Sequence, residues 1–365
     1  MINLLKQLPN QGQSLSFQQL DPTRDIIDSS QETITDALWS DDQPLLSTFF
    51  TASNLSVSQK AYYVNVYQKD PVATGSAIQF ALAYGDQRGS GSLNNGGGQL
   101  GDAPSKAIYS QYKQLLLDET VNAFTFKTGS GVYTTDSIYV INLQRARSKE
   151  RLDPGNWELP LSGITSRDTD ATGSVVIGPS HIKLIDNSST ETTSTPEIAD
   201  SYDIVSGSIS NGIFNSTAPE YYGKVYPQHS VIILDGRKLD NELGFKTNTG
   251  SNAAGSNHYG LFHSVSGSAS AGSGSFLARN KETVSSTMYF VRLNNADYNY
   301  SNNPSYVTGT QFEIANQGYW TDPVSYITTV GLYNDQQELL AVAKLSKPIK
   351  KDKKSELNIR VKLDY

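Results

Sequence analysis

Gly96, Gly98 and Gly101 stand in the pattern G-x-G-x-x-G ahead of a helical stretch, where backbone amides could cradle a pyrophosphate. That chemistry needs the glycines to follow a strand at once, inside a parallel strand–helix–strand unit. Here the preceding apolar run ends near Tyr84, and Asn94, Asn95 and Gly97 make the intervening stretch read as an adaptable loop. No G-x-x-x-x-G-K-[ST] phosphate loop occurs. The four histidines are His181, His229, His258 and His263. None belongs to an H-E-x-x-H motif, and His258 and His263 fall on opposite faces if their segment is a strand, which argues against a zinc site. Ser180 and Lys183 match S-x-x-K, yet they run into an expected strand without a companion S-D-N or K-T-G, and no G-x-S-x-G nucleophile elbow is present. Two carboxylate pairs, Asp41–Asp42 beside Trp39 and Asp118–Glu119 at a helix end, could serve glycoside cleavage, but neither lies in an aromatic cleft pattern and each reads as a solvated face or a cap. The run Lys350-Lys351-Asp352-Lys353-Lys354 reads as an exposed charged turn between two strands that protects a sheet edge. An acidic surface on a neighbouring subunit is its functional alternative. No catalytic, cofactor-binding or metal-ligating residue is therefore assigned; the expectation is a non-enzyme without cofactor.

The elements that would position such residues are mostly strands. Residues 61–67 and 77–84 read as strands, and the second alternates clearly, with Ile78, Phe80 and Leu82 on one face. One main helix is expected over 104–118, with Ile108, Tyr112, Leu115 and Leu116 on its buried stripe, Pro104 in its first turn and Asp102 or Ser105 as cap. Strands follow at 123–128 and 138–144. A shorter helix is expected around 30–39. Farther on, short strands are expected at 174–177, 182–185, 202–208, 231–234 and 259–264, separated by polar loops, two of them nearly low-complexity at 188–196 and 264–275. The loops at 85–101 and 188–200 are expected to order chiefly against a neighbour. Toward the C-terminus, Val330, Leu332, Leu340, Val342, Ile359, Val361 and Leu363 supply alternating apolar faces, with 334–337 as a hairpin loop. The fold class is mainly β: an α+β N-terminal region and antiparallel sheets with that one main helix near 104–118. The expected organisation is an extended arm over 1–59, an α+β domain over 60–165, a loop-rich β domain over 166–283 and an antiparallel β domain over 284–365.

Composition agrees with many short strands joined by polar loops. The chain of 365 residues is 37% hydrophobic and only 18% charged, with 21 Tyr, 12 Phe and 3 Trp. The absence of cysteine excludes disulfides, thiolate metal sites and cysteine nucleophiles. Net charge is −7; residues 343–365 hold eight basic and three acidic side chains, leaving 21 basic and 33 acidic elsewhere, a net of −12. An acidic body with a basic end disfavours nucleic acid as a general partner. The start of the chain, Met1 to Pro9, is too short and polar for a signal peptide, and no apolar run reaches membrane-helix length. The expectation is a soluble protein made and used without export.

Several blocks carry a resemblance. They are Ile34-Thr35-Asp36-Ala37-Leu38-Trp39-Ser40-Asp41-Asp42, the run 62–67, Gln79-Phe80-Ala81-Leu82-Ala83-Tyr84-Gly85 and Gly89-Ser90-Gly91-Ser92. Ile108-Tyr109-Ser110-Gln111-Tyr112 and Tyr139-Val140-Ile141-Asn142-Leu143-Gln144-Arg145-Ala146-Arg147, with Lys149-Glu150, add to them. The strongest are C-terminal: Ala278-Arg279-Asn280-Lys281-Glu282-Thr283, 290–305, 326–335, 340–349 and 359–365. Together they resemble structural proteins of large contractile-tailed bacteriophages, especially those infecting cyanobacteria; residues 165–275 contribute little. The resemblance implies a virion structural component, with a baseplate wedge or peripheral baseplate position favoured. A neck, fibre-adaptor or capsid-surface protein is the alternative, and a glycan-binding or glycan-cleaving receptor protein the remaining one. It implies other tail or baseplate proteins as partners, several copies in a symmetric assembly, no nucleic acid and no membrane. The implied location is the virion tail, with the host cytoplasm during assembly.

Overall fold

In the computed structural model, the described residues are 3–5, 17–19, 28–51, 62–91, 103–129, 131–167, 175–190, 200–245, 257–272, 274–301, 303–311 and 313–365. Along the chain, β1 (Asn3–Leu5), β2 (Phe17–Gln19) and β3 (Asp28–Ala37) come first. They are followed by β4 (Leu45–Leu46), β5 (Phe50–Thr51), β6 (Tyr63–Tyr67) and β7 (Ile78–Asp86). Helix α1 (Pro104–Leu116) leads to β8 (Phe124–Thr128), β9 (Gly131–Thr135) and β10 (Ser137–Leu143), then α2 (Arg145–Ser148). Next are β11 (Arg151–Arg167), β12 (Val175–Asp186), β13 (Tyr202–Ser208), β14 (Gly212–Ile213), β15 (Tyr221–Tyr226) and β16 (Val231–Asp235). Helices α3 (Gly236–Leu243) and α4 (Asn257–Ser270) precede β17 (Phe276–Leu293). The chain ends with β18 (Val307–Thr308), β19 (Glu313–Ile314), α5 (Gly318–Thr321), β20 (Val324–Tyr333), β21 (Leu339–Asp352) and β22 (Leu357–Asp364). The protein is mainly β, with antiparallel sheets throughout.

Two compact units result: Thr33–Glu282, and Met1–Glu32 with Thr283–Tyr365. In the larger unit the strand order is β17-β11-β12-β13-β15-β16-β10-β7-β6-β5, every neighbour antiparallel. Period-two alternation divides its central strands between two cores. Tyr139, Ile141, Ile232, Leu234, Phe80 and Leu82 enter one, with Leu239 and Leu243 of α3 and Leu261 and Val265 of α4. Ile138, Val140, Val231 and Ile233 enter the other, beneath Ile108, Tyr109, Tyr112 and Leu116 of α1 and the β8–β9 hairpin. A strand covered on both faces needs apolar residues at successive positions, which is why Ile138–Ile141 reads as a continuous run. Gly223 marks the tightest strand contact: a Cβ there would lie 2.0 Å from the Ile233 carbonyl oxygen, so β15 and β16 approach only because it has none.

Several expectations are overturned. Residues 30–39 form strand β3 and its exit, not a helix; β3 pairs with β17, and that ladder overrides a weak local helical preference. Residues 259–264 lie in α4, not a strand. The buried positions there are Asn257, His258, Gly260, Leu261, Ser264, Val265 and Ser268; they include the helical spacing 257, 261, 264, 265 and 268, but only Leu261 and Val265 read as apolar. A second helix of 14 residues therefore joins the expected one of 13. In α1, Leu115 is 41% exposed and Tyr109 is buried in its place. The α1 N-cap is Ala103 without a side-chain cap; the expected cap Ser105 instead donates to the Ser90 carbonyl at 2.9 Å, and Asp102 lies outside the described residues. The stretches expected as separate domains at 60–165 and 166–283 share one sheet and one core, because β11 crosses that boundary and pairs with both β12 and β17. Most of the expected arm beyond residue 32 belongs to the same unit.

α4 is clamped to β11 by Ser264, whose hydroxyl donates to the Ser162 carbonyl at 2.7 Å and accepts from the Ser162 amide at 3.0 Å. Ser264→Ala strands two buried backbone groups, and a loss of about 2 kcal/mol in urea unfolding is expected.

In the other unit β20 pairs with β21 on one side and β1 on the other, with β2 beyond β1. The second part of β17 pairs with β22 from Ser286↔Asp364 to Leu293↔Leu357. Tyr289, Val291, Leu293, Ile327, Val330, Leu332, Ile359 and Val361 form their shared core. Leu340 and Val342, expected on the buried face, are 60% and 56% exposed, and Ala341, Ala343 and Leu345 pack inward instead. A bulge between Leu332↔Ala341 and Tyr333↔Leu339 sets that register. The lysine run also departs from the expected exposed turn: Lys350–Asp352 are the end of β21, and Lys351 is fully buried.

Candidate functional site

The residues with candidate chemistry are scattered. Gly96, Gly98 and Gly101 lie outside the described residues, as do 92–102 and 191–199 of the two loops expected to order on assembly. Ser180 and Lys183 sit on β12, where Lys183 is taken up by Glu158 at 2.8 Å. His258 and His263 lie on α4, with His258 buried. His229 sits in the turn before β16, its pKa lowered by burial and by Arg145. Among the described residues no group of three or more histidines and carboxylates is placed to hold a metal ion. Asp118 accepts from the Thr120 amide and hydroxyl, which hold its carboxyl below the usual range; it closes a turn. One serine–histidine contact was not visible in the sequence: Ser162 Oγ lies 2.9 Å from His181 Nδ1 across the β11–β12 pair. Ser162 is fully buried, so a substrate has no access to that oxygen.

What the structure brings together is the set of segments around Trp39. Its ring, 2% exposed, packs edge-on against Phe276 at 4.9 Å and lies 5.8 Å from Phe80, and its Nε1 donates to the Phe276 carbonyl at 2.9 Å. Beside it, the Ser40 amide donates to Gln79 Oε1 at 3.0 Å, and Gln79 Nε2 donates to Ser40 Oγ and Gln68 Oε1, both at 2.7 Å. Ser40 is thus held by an amide, which cannot accept its proton as a base. The turn over Ser40–Asp42 is strained: Asp41 and Asp42 both take positive φ, 62° and 52°. It is fixed by the Trp39 amide on the Gln43 carbonyl at 3.2 Å and by Lys69 on Asp41 at 2.9 Å.

Two clefts flank this turn. One, of about 390 Å³, is lined by Asp36, Trp39, Asp42, Gln144, Arg147, Lys149 and Asn280, among others. It offers carboxylates, cations and amides together. Lys149 reaches Glu282 at 3.3 Å and Asp36 at 3.7 Å, and Asn280 Nδ2 donates to the Arg147 carbonyl at 2.9 Å. Asn280 Oδ1 is buried without a hydrogen-bond partner among the described residues. The second, of about 500 Å³, has exposed Leu45 and Phe50, at 52% and 41%, beside Asp41, Lys69 and Asp70. Such mixed surfaces suit polar and apolar groups of another macromolecule. The Asp41–Asp42 pair belongs to this turn, as a strained corner with an ion pair.

Asp235 is the most perturbed carboxyl among the described residues. It is buried at the N-cap of α3, where it accepts from the Arg237 and Lys238 amides at 3.1 and 3.2 Å and from Thr135 Oγ1 at 2.9 Å, with Tyr133 OH as a further donor. Burial raises its pKa to about 6, against the pull of those two amides. A carboxyl whose folded pKa lies above its unfolded value favours folding when protonated. Its contribution is full below about pH 4 and is lost as pH rises through about 6. Between pH 7 and 4 the expected gain is about 2 kcal/mol, visible as a difference in pH slope between wild type and Asp235→Asn in urea unfolding.

Comparison with protein-family models, with curated proteins and with solved structures finds no match to this chain.

Proposed function

We propose that this protein is a structural subunit of a contractile bacteriophage tail, acting by assembly with other tail proteins, with a baseplate wedge or peripheral baseplate position as the reading of choice. One observation carries the proposal. Segments that resemble phage tail proteins, far apart in sequence at 34–42, 79–85, 139–147 and 278–283, meet around Trp39 and its flanking clefts. What they build is a folded wall with charged and apolar groups at its surface. The Ser40 hydroxyl within it is bound to an amide, and the Ser162–His181 contact is closed to substrate. On this reading the chain works in several copies within a symmetric particle, in the virion tail, after assembly in the host cytoplasm.

Electron cryo-microscopy of intact particles of the phage encoding the chain, with antibody labelling, tests the proposal. Density or label at the tail end is expected. Absence from purified particles, or label confined to the capsid, would overturn it, as would turnover of host polysaccharide by the purified chain.

A further inference from the structure

We propose that the cleft of about 390 Å³ beside the Trp39 turn binds a free α-amino acid with an apolar side chain, holding its carboxylate on Arg147 and its ammonium between Asp42 and Asn280. The inference goes beyond the assembly reading and does not rest on it. The cleft falls within the range of about 300–1,000 Å³ usual for small-ligand pockets. Its charged groups sort into answered and unanswered. Lys149 pairs with Asp36 at 3.7 Å and with Glu282 at 3.3 Å. Arg147 and exposed Asp42 line the same cleft and make no ion pair among the described residues. One cation and one anion are therefore left for a ligand.

The Ser40–Asp42 turn shows how Asp42 is presented. Asp41 and Asp42 both take positive φ, 62° and 52°, which costs energy for residues other than glycine. Their side chains line different clefts. Asp41 lines the second one and pairs there with Lys69 at 2.9 Å, whereas Asp42 lines the first and has no such partner among the described residues. Strain of this kind persists only where the surrounding structure enforces it, and it clusters at ligand sites. Asn280 supplies an independent observation. It is 2% exposed and its Nδ2 donates to the Arg147 carbonyl at 2.9 Å. Oδ1 is the polar atom it leaves for the cleft, and that atom has no hydrogen-bond partner among the described residues. A buried acceptor without a donor is costly, so such a group calls for a donor from outside the chain.

These groups select a dipolar ion. An ammonium has three donors and no acceptor, which suits a carboxylate and an amide oxygen together. A guanidinium presents a fork that matches a carboxylate with two parallel hydrogen bonds. Ala37, Ala77, Ile78 and Ala146 add apolar surface to the lining. A phosphate would meet Asp36 and Asp42 as well as the cations, and a polyamine would meet Arg147 and Lys149. A neutral sugar would leave both unpaired charges without a counter-ion.

The test is isothermal titration calorimetry of the full chain with L-leucine, leucinamide and N-acetyl-leucine. L-leucine is expected to bind saturably, with a Kd on the order of 1 mM or below. Leucinamide, which lacks the carboxylate, and N-acetyl-leucine, which lacks the ammonium, should each bind on the order of tenfold more weakly. Arg147→Gln should abolish the preference for leucine over leucinamide, and Asp42→Asn the preference over N-acetyl-leucine. Asparagine adopts positive φ readily, and Arg147 makes no ion pair among the described residues, so both variants should keep the wild-type circular dichroism spectrum. No saturable binding by the wild type, or preferences that both variants retain, overturns the inference. So does equal binding of leucinamide, which would assign the cleft to the first residue of another chain. Leucine binding by a chain absent from phage particles would remove the tail reading and leave this one standing.

Discussion

Lys351→Glu is expected to unfold the unit of residues 1–32 and 283–365, although the residue sits in a run of lysines that looks like a solvent-exposed turn. Lys351 is fully buried, and its ammonium donates to the Asn295 carbonyl at 3.1 Å, Asn299 Oδ1 at 2.9 Å and the Asp352 carbonyl at 2.8 Å. Three donors meet three acceptors, all neutral oxygens, so the charge is solvated by the protein itself. The same contacts tie residues 295–299 to the end of β21. Lys351→Met removes the donors and leaves buried oxygens unanswered, at about 3 kcal/mol. Lys351→Glu sets a carboxylate against those oxygens and should exceed that loss. With total stability of about 5–15 kcal/mol for a domain, the glutamate variant should lose its cooperative transition. Lys354→Glu is the control: its side chain is 80% exposed and its pairing with Asp322 is worth about 0–1 kcal/mol. Urea unfolding followed by circular dichroism distinguishes them, and a Lys351→Glu protein that unfolds at the wild-type midpoint would contradict the buried cage.

Val361→Asp should have an effect of the same order by a different route. Val361 is 5% exposed, pairs across the ladder with Tyr289, and shares a core with Ile327, Val330 and Leu332. An unpaired carboxylate in that apolar cluster costs on the order of 4 kcal/mol or more, whereas Val361→Ala should cost about 2 kcal/mol. Hydrogen exchange read by mass spectrometry should show the amides of 286–293 and 357–364 losing protection in the aspartate variant. Protection retained at both strands would mean that Val361 faces outward and that the β17–β22 register is wrong.

The expected faces of β21 and β22 show where sequence reasoning succeeds and stops. Ile359 and Val361 alternate regularly and are buried as their pattern implies. Leu340 and Val342 alternate as well, yet face out, because a bulge inserts one residue opposite Tyr333 and Leu332. A bulge of this kind is set by pairing with the partner strand and has no compositional mark. α4 was illegible for a related reason: its buried face is built from Asn257, Ser264 and Ser268 as much as from Leu261 and Val265. Small residues let a helix lie close to a sheet, but a scale that counts apolar side chains cannot register them. Nothing local in 39–42 marks the Trp39 turn as a meeting point. Its partners Gln79, Asn280 and Phe276 lie far along the chain, and only their pairing into one unit brings them near.

The predominance of strands, helix α1, the absence of cysteine chemistry and the acidic body with a basic end are legible from the residues alone. These follow from composition and short-range periodicity, which depend on neighbours a few residues apart. Tertiary packing is what makes 33–282 one unit, α4 a helix and Lys351 buried while Leu340 and Val342 are not, and what gathers four distant segments around Trp39. Each of those outcomes depends on which strand lies beside which, and long-range pairing outweighs local preferences worth only tenths of a kcal/mol per residue.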